Sequence, residues 1–348
     1  MHGVLSLVMY RVGSAQRRVG KALVAGLVLL LALTACGVAA TTEDAGSQGL
    51  TRVVKDIDDA EVTVPEHPQR VVTLSEPTLD AALALGVKPV GTVAGRGQAR
   101  APHYLGDLAE GIPLVGTIGN LDYEKISSLD PDLIVVDGTS VNNRPDILDI
   151  LKKIAPLVFT GYAGGRWELN FDHVADALNL ADQGVEFKRR FEEKVSDKRQ
   201  ALEGKYSEKT FSIVRWQGSG PSLILKELPA GEALDALGLR RPEPQNREGR
   251  GHSEPVSLES LSTIDADYMF FGTLGGASQA NPHSEDDPGL DSARKALETA
   301  EGVSGFKDLR AYRSGNIVLV DGSLWTSTGG PLLMDGIVDD VAKALLAS

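Results

Sequence analysis

Apolar positions recur along this chain with two periods, and the alternation between them lays out its elements. From Gln183 to Tyr206 the apolar residues Phe187, Phe191, Val195, Leu202 and Tyr206 fall on one face of a 3.6-residue period, with charge on the other faces. That spacing predicts one amphipathic helix about 30 Å long. Before it, short apolar runs at Glu61–Pro65, Pro68–Leu74, Pro89–Val93, Leu133–Val136 and Leu157–Thr160 read as strands. After it, Thr210–Trp216, Ser222–Lys226 and Ile317–Val320 read the same way. Helical spacing marks Leu79–Leu85, stopped by Gly86, then Ile147–Ile154, Leu169–Leu178 and the terminal Leu332–Leu346.

The two flanks resemble each other. Asp80 to Gly86 (DAALALG) is matched by Glu232 to Gly238 (EALDALG), and Glu124 to Asp137 (EKISSLDPDLIVVD) by Glu259 to Gly272 (ESLSTIDADYMFFG). Each half therefore carries an acidic-headed helix ending at glycine, then a short helix, an acidic turn and a hydrophobic strand. The expected fold is α/β: two similar Rossmann-like three-layer lobes, residues 61–182 and 207–348, joined by one long rigid helix at 183–206. A ligand is expected in the cleft between them. A continuous helix there resists wide closure.

The first 35 residues are of another kind. Arg11, Arg17, Arg18 and Lys21, with no acidic residue, precede an apolar stretch from Ala22 to Leu33, the pattern of a secretory signal. It runs into Leu33-Thr34-Ala35-Cys36, which resembles the bacterial lipoprotein signal, with Cys36 the single cysteine of the chain. Lipid on Cys36 would anchor the protein on the outer face of a membrane. Residues 36–60 read as the lipidated cysteine and a flexible tether. Loss of the four positive charges of the signal takes the formal charge from −13 to −17. So acidic a chain is a poor partner for nucleic acid.

Candidate binding chemistry sits in the loops. Gly95 and Gly97 bracket Arg96 in a tight turn, with Tyr104 close behind; Gly161 to Trp167 brings Tyr162, Arg166 and Trp167 onto a glycine-rich segment; Arg215 and Trp216 close a strand; Trp325 precedes Gly329-Gly330-Pro331. Trp167 is equally suited to packing on the helix that follows it. No nucleophile elbow, phosphate loop, HExxH or histidine–cysteine cluster is present in the sequence, so binding without catalysis and without a protein-held metal is the expectation.

Several motifs occur in one order: Leu33–Cys36, Val64-Pro65, Pro68-Gln-Arg-Val-Val72, Ala84-Leu85-Gly86, Asp130-Pro-Asp-Leu-Ile134, the long joining run and Gly329-Gly-Pro331 before a helix. Together they resemble the substrate-binding lipoproteins of bacterial iron-siderophore ABC importers, a family that also contains cobalamin and haem binders, over residues 61–346. The resemblance implies no enzyme activity, no cofactor, and a ferric siderophore as ligand, its iron held by the chelator's own oxygens. The mixed arginine and tryptophan candidates lean towards a hydroxamate type over a catecholate. It further implies a monomer that meets an ABC importer permease dimer through one acidic side chain per lobe. Those positions fall at Asp80 and Glu232, each six residues before a helix-ending glycine, with Asp235 the competing choice in lobe two. Cobalamin or haem binding, or a non-transport adhesion or signalling role, remain the alternatives.

Overall fold

The computed structural model describes residues 49–141, 144–249, 253–276 and 287–346, and the chain from Gly49 onward forms one compact unit. The signal segment and Cys36 lie outside the described residues. The stretch read as tether is shorter than expected. Thr51–Lys55 is a strand, β1, paired antiparallel with β2 (Glu61–Pro65) from Thr51↔Pro65 to Lys55↔Glu61, with Val54 and Val64 buried beneath the pair.

Lobe one is built on β3 (Val71–Thr73), β4 (Thr92–Ala94), β5 (Leu114–Thr117), β6 (Asn120–Leu121), β7 (Leu133–Val136) and β8 (Leu157–Phe159). The order is β3-β7-β8 in parallel on one side, and a Val72–Gly91 bridge carries the sheet on to β4-β5-β6. Along β7, Leu133 and Val135 face one apolar core and Ile134 and Val136 a second, so both faces of the sheet are covered. Helix α1 (Glu76–Ala84) follows β3. Ser75 caps it by accepting from the Thr78 amide while the Thr78 hydroxyl accepts from the Ser75 amide. Its chain reverses at Gly86, in the left-handed region at φ +77°.

Lobe one closes with α2 (Trp167–Ala177), and α3 (Ala181–Leu202) is the expected strut. At 22 residues it spans about 33 Å. It starts two residues earlier than the periodicity predicts and stops at Leu202; Tyr206 lies beyond it, and its hydroxyl donates to the Leu345 carbonyl at 2.8 Å.

Lobe two repeats the architecture with β9 (Phe211–Gln217), β10 (Gly220–Leu223), β11 (Glu254–Pro255), β12 (Tyr268–Gly272) and β13 (Ile317–Leu319), in the order β11-β10-β9-β12-β13. Strands β9, β12 and β13 run parallel, and alternate residues again face two cores: Phe211, Ile213 and Phe270 one, Val214, Trp216 and Phe271 the other.

The strut is not the lone connection. Helix α4 (Pro229–Ala236) and the terminal α5 (Pro331–Leu346) complete lobe two, and α5 packs at once on α4, on the strut and on α1 of lobe one. Lys194 of the strut reaches Asp335 at 2.9 Å and Asp339 at 2.7 Å on α5. One core thus runs unbroken from Val71 and Ala81 through Phe191 to Phe270 and Ile337. Expectation and structure agree on two lobes and a long helix; the structure adds a second, C-terminal clasp.

Candidate functional site

The carboxyl-terminal ends of the parallel strands in both lobes point into one cleft, the usual place for ligands in open α/β sheets. The backbone running from Asp321 to Leu333 forms its floor, and lobe one is sewn to that floor by polar side chains. Glu76, in the first turn of α1 and 1% exposed, accepts from the Arg96 amide at 2.8 Å, from the Ser327 hydroxyl at 3.1 Å and from the Thr328 hydroxyl at 3.0 Å. Asp80, one turn on and wholly buried, accepts from the Leu332 amide at 2.8 Å, the Leu333 amide at 2.9 Å and the Tyr104 hydroxyl at 2.7 Å. Asp80 therefore caps α5 from the opposite lobe. Burial nevertheless pushes its carboxyl up to about 6, against the pull of those hydrogen bonds. His103 pairs with Asp321, and the Tyr104 amide donates to the Ser323 hydroxyl at 3.0 Å.

On one side of this floor two guanidinium groups converge. Gly97, at φ +72°, brings the Arg96 turn so close to lobe two that a Cβ there would lie 2.8 Å from the Gly275 carbonyl oxygen. Arg215, on β9, donates to the Thr326 carbonyl at 3.0 Å and to Ser253. Burial, followed by the like charge of Arg96, pulls Arg215 down to about 10. Among the described residues no carboxylate pairs with Arg215, so this half of the cleft is set up for negative oxygens.

On the other side lies a cavity of about 110 Å³ walled by Tyr162, Trp167 and Asn170 of lobe one and by Leu228, Pro229 and Glu232 of lobe two, over Thr328 and Gly329 of the floor. Asp137, at the end of β7, also lines it; burial pushes its carboxyl up to about 6, though the amide and hydroxyl of Thr139 both donate to it at 3.0 Å. Burial first, then the nearby Glu168, pushes Glu232 up to about 7.

Residues 71–323 match the model of the periplasmic binding protein family. The chain is 32% identical over 326 residues to a probable siderophore-binding lipoprotein, YfiY, of Bacillus subtilis, covering 92% of this chain and 96% of that one. It is 26% identical over 334 residues to the iron(3+)-hydroxamate-binding protein FhuD of the same organism, covering 92% and 95%. Among solved structures, Staphylococcus aureus SirA complexed with staphyloferrin B superposes with a TM-score of 0.70 at 24% identity, over 85% of this chain and 99% of that one, a likeness of fold.

The chain is a periplasmic binding protein. Membership makes it a carrier rather than an enzyme, working outside the cytoplasmic membrane.

The candidate residues of the binding protein fall in different places. Arg96 and Arg215 are brought together across the cleft; Tyr162, Arg166 and Trp167 line the cavity. Arg166 is exposed and paired with Glu168 at 3.2 Å, which leaves two arginines on the floor's cationic side rather than three. Trp167 lines the cavity and also meets Phe191 of the strut edge-on at 5.4 Å. Tyr104 is tied to Asp80 beneath the floor instead of forming a wall.

Two tryptophans are corrections. Trp216 is 1% exposed and stacked on Phe271 in the outer core of lobe two, and Trp325 is wholly buried, stacked on Phe270 at 4.2 Å with its indole N–H donating to Asp340 at 2.9 Å. Neither reaches the cleft. Asp80 is a third correction: a carboxylate with no exposed surface, engaged by three donors of its own chain, presents nothing to a permease arginine. Its counterpart Glu232 faces the cavity, and Asp235 is exposed but paired with Lys226 at 3.2 Å.

Glu76, Asp137 and the Ser327-Thr328 pair brace or line the cleft, and sequence reasoning passed over them. The signals were available in part: Ser75-x-x-Thr78 is a helix cap that places Glu76 in the first turn, and Asp137 ends the repeated unit at a strand terminus.

Proposed function

We propose that the protein binds a ferric siderophore between its lobes and delivers it, as a monomer held by lipid on Cys36 at the outer membrane face, to the permease dimer of an ABC importer. The observation that carries this reading is the convergence of Arg96 and Arg215 from opposite lobes on a cleft whose arginine side offers Arg215 no carboxylate among the described residues. A ferric chelate presents oxygens that carry negative charge, and its iron asks for no protein ligand. Among the described residues no group of three histidine, cysteine or acidic side chains is placed to hold a metal ion. The relatives described as a probable siderophore-binding lipoprotein and as an iron(3+)-hydroxamate-binding protein support the same class. Two guanidiniums suit the uncharged shell of a ferric hydroxamate, whereas a catecholate complex, with its strong negative charge, calls for a denser basic pocket.

For docking, the second pair of repeated segments offers what Asp80 lacks. Glu124 and Glu259 head those segments, and both are exposed at the surface of their lobes. Paired with permease arginines they would set register and encounter more than net affinity.

The test of ligand class is a tryptophan-fluorescence titration against ferric hydroxamate, catecholate and citrate complexes, haem and cobalamin. Saturable change with a ferric hydroxamate, carried by Trp167, is expected. Silence to every ferric complex beside tight binding of cobalamin or haem would overturn the reading.

A further inference from the structure

The two sides of the cleft differ in charge. Across from the arginine pair, the cavity beside Trp167 is lined by three carboxylates, Asp137, Glu227 and Glu232, with Arg166 at its edge already engaged by Glu168. Carboxylates alone make no site. Here they border a partly open pocket of about 110 Å³ between the lobes, reaching the cleft floor at Thr328 and Gly329 and walled by Trp167, Tyr162, Leu228 and Pro229. Such a space, apolar along its sides with a few polar groups, is the form of a ligand subsite. Asp137 and Glu227 are occupied: Thr139 donates to the first, and the Gly249 amide to the second. Glu232 is different. Its side chain, held on α4, is partly buried, and among the described residues it makes no hydrogen bond or salt bridge, the exposed Arg166 acting on it only as a nearby charge. Its raised carboxyl fits the same picture of an acid awaiting a cation.

We propose that this cavity receives an alkylammonium arm of the ferric ligand, with Glu232 as its counter-ion. The methylenes lie along Trp167 and Leu228, and the ammonium donates to the Glu232 carboxylate. The ligand class is thereby narrowed to ferric siderophores with a primary amine at one end, their iron centre on the arginine side of the floor and their amine on the acidic side. This rests on a ferric chelate occupying the cleft; the cavity itself does not depend on which chelate.

The experiment uses two pairs of probes on the wild type and on Glu232→Gln, with circular dichroism to show that the variant is folded. The first pair is n-pentylammonium chloride and 1-pentanol, followed by NMR of the tryptophan indole signals; the second is ferrioxamine B and its N-acetyl derivative, identical but for the ammonium. The expected results are binding of pentylammonium but not pentanol, and a preference of about 10- to 100-fold for ferrioxamine B over the acetylated form. Both preferences should vanish in Glu232→Gln. An Asp235→Asn variant, which removes a carboxylate of the same helix that lies outside the cavity, should keep them. Equal binding of both ferric complexes by wild type and variant would leave the ferric-ligand reading standing and overturn the ammonium site. Binding of pentylammonium alone, with neither ferric complex bound, would support the site and overturn the hydroxamate reading. Equal response to amine and alcohol would overturn the site whatever the iron complexes do.

Discussion

Replacing Asp80 by asparagine isolates the energetics of the clasp between the lobes. The wild-type carboxyl is wholly buried and sits at about 6 in the fold against 3.8 for an ordinary aspartate. At about 1.4 kcal/mol per pKa unit, ionisation of this one group costs the fold on the order of 3 kcal/mol relative to its protonated form. The sign follows from the direction. The folded protein holds the proton more tightly than the unfolded chain, so the contribution of Asp80 to stability is fullest below 3.8 and is lost as pH rises through about 6. Asparagine keeps the shape and does not titrate; its single Oδ1 can accept from the Leu333 amide and the Tyr104 hydroxyl, while the Leu332 amide is left facing Nδ2, a cost that is the same at every pH. Urea unfolding of wild type and Asp80→Asn between about pH 4 and about pH 7 should therefore give curves that are not parallel, the wild type gaining about 2 kcal/mol on the variant towards acid. Asp137, also raised to about 6 by burial, is common to both proteins and cancels in the difference. Asp80→Ala, by contrast, strands two amides and a phenol and should destabilise at every pH, by about 1–3 kcal/mol for each group left unpaired. Parallel curves for wild type and Asp80→Asn would refute the reasoning.

Other outcomes follow from the same contacts. Arg215→Ala should weaken a ferric hydroxamate by about 10- to 100-fold in calorimetry, the worth of hydrogen bonds from a charged group. Trp325→Ala should lower stability by about 3–5 kcal/mol in denaturant and leave ligand specificity intact, because the indole fills the core against Phe270. Charge reversal at Glu124 and Glu259 should impair uptake by cells without altering affinity in vitro; unchanged uptake would reject those positions.

The lobes and the strut were legible because each depends on local periodicity. Phe187, Phe191 and Val195 declare the helix, and the runs Leu133–Val136 and Tyr268–Gly272 declare strands buried on both faces. The walls of the site were less legible. Arg215 and Trp216 are neighbours on β9, and successive strand residues point to opposite faces, so at most one of them could serve the cleft. The guanidinium does, while the indole joins Val214 and Phe271 in the core. Asp80 misled for a different reason. Its helix reads as acidic-headed and ending at glycine, but α5, some 250 residues later in sequence, covers the acid and turns it into a cap. A contact of that separation leaves no local trace. The acidic cavity was invisible likewise, since Asp137 and Glu232 meet only when the lobes do.

The most direct measurement is the position of iron. Crystals of the protein with ferrioxamine B, measured at the iron absorption edge, should show one anomalous peak between the lobes beside Arg96 and Arg215, over the floor at Thr326. A peak on an outer face of either lobe, or none with the ligand present in solution at saturation, would contradict the account.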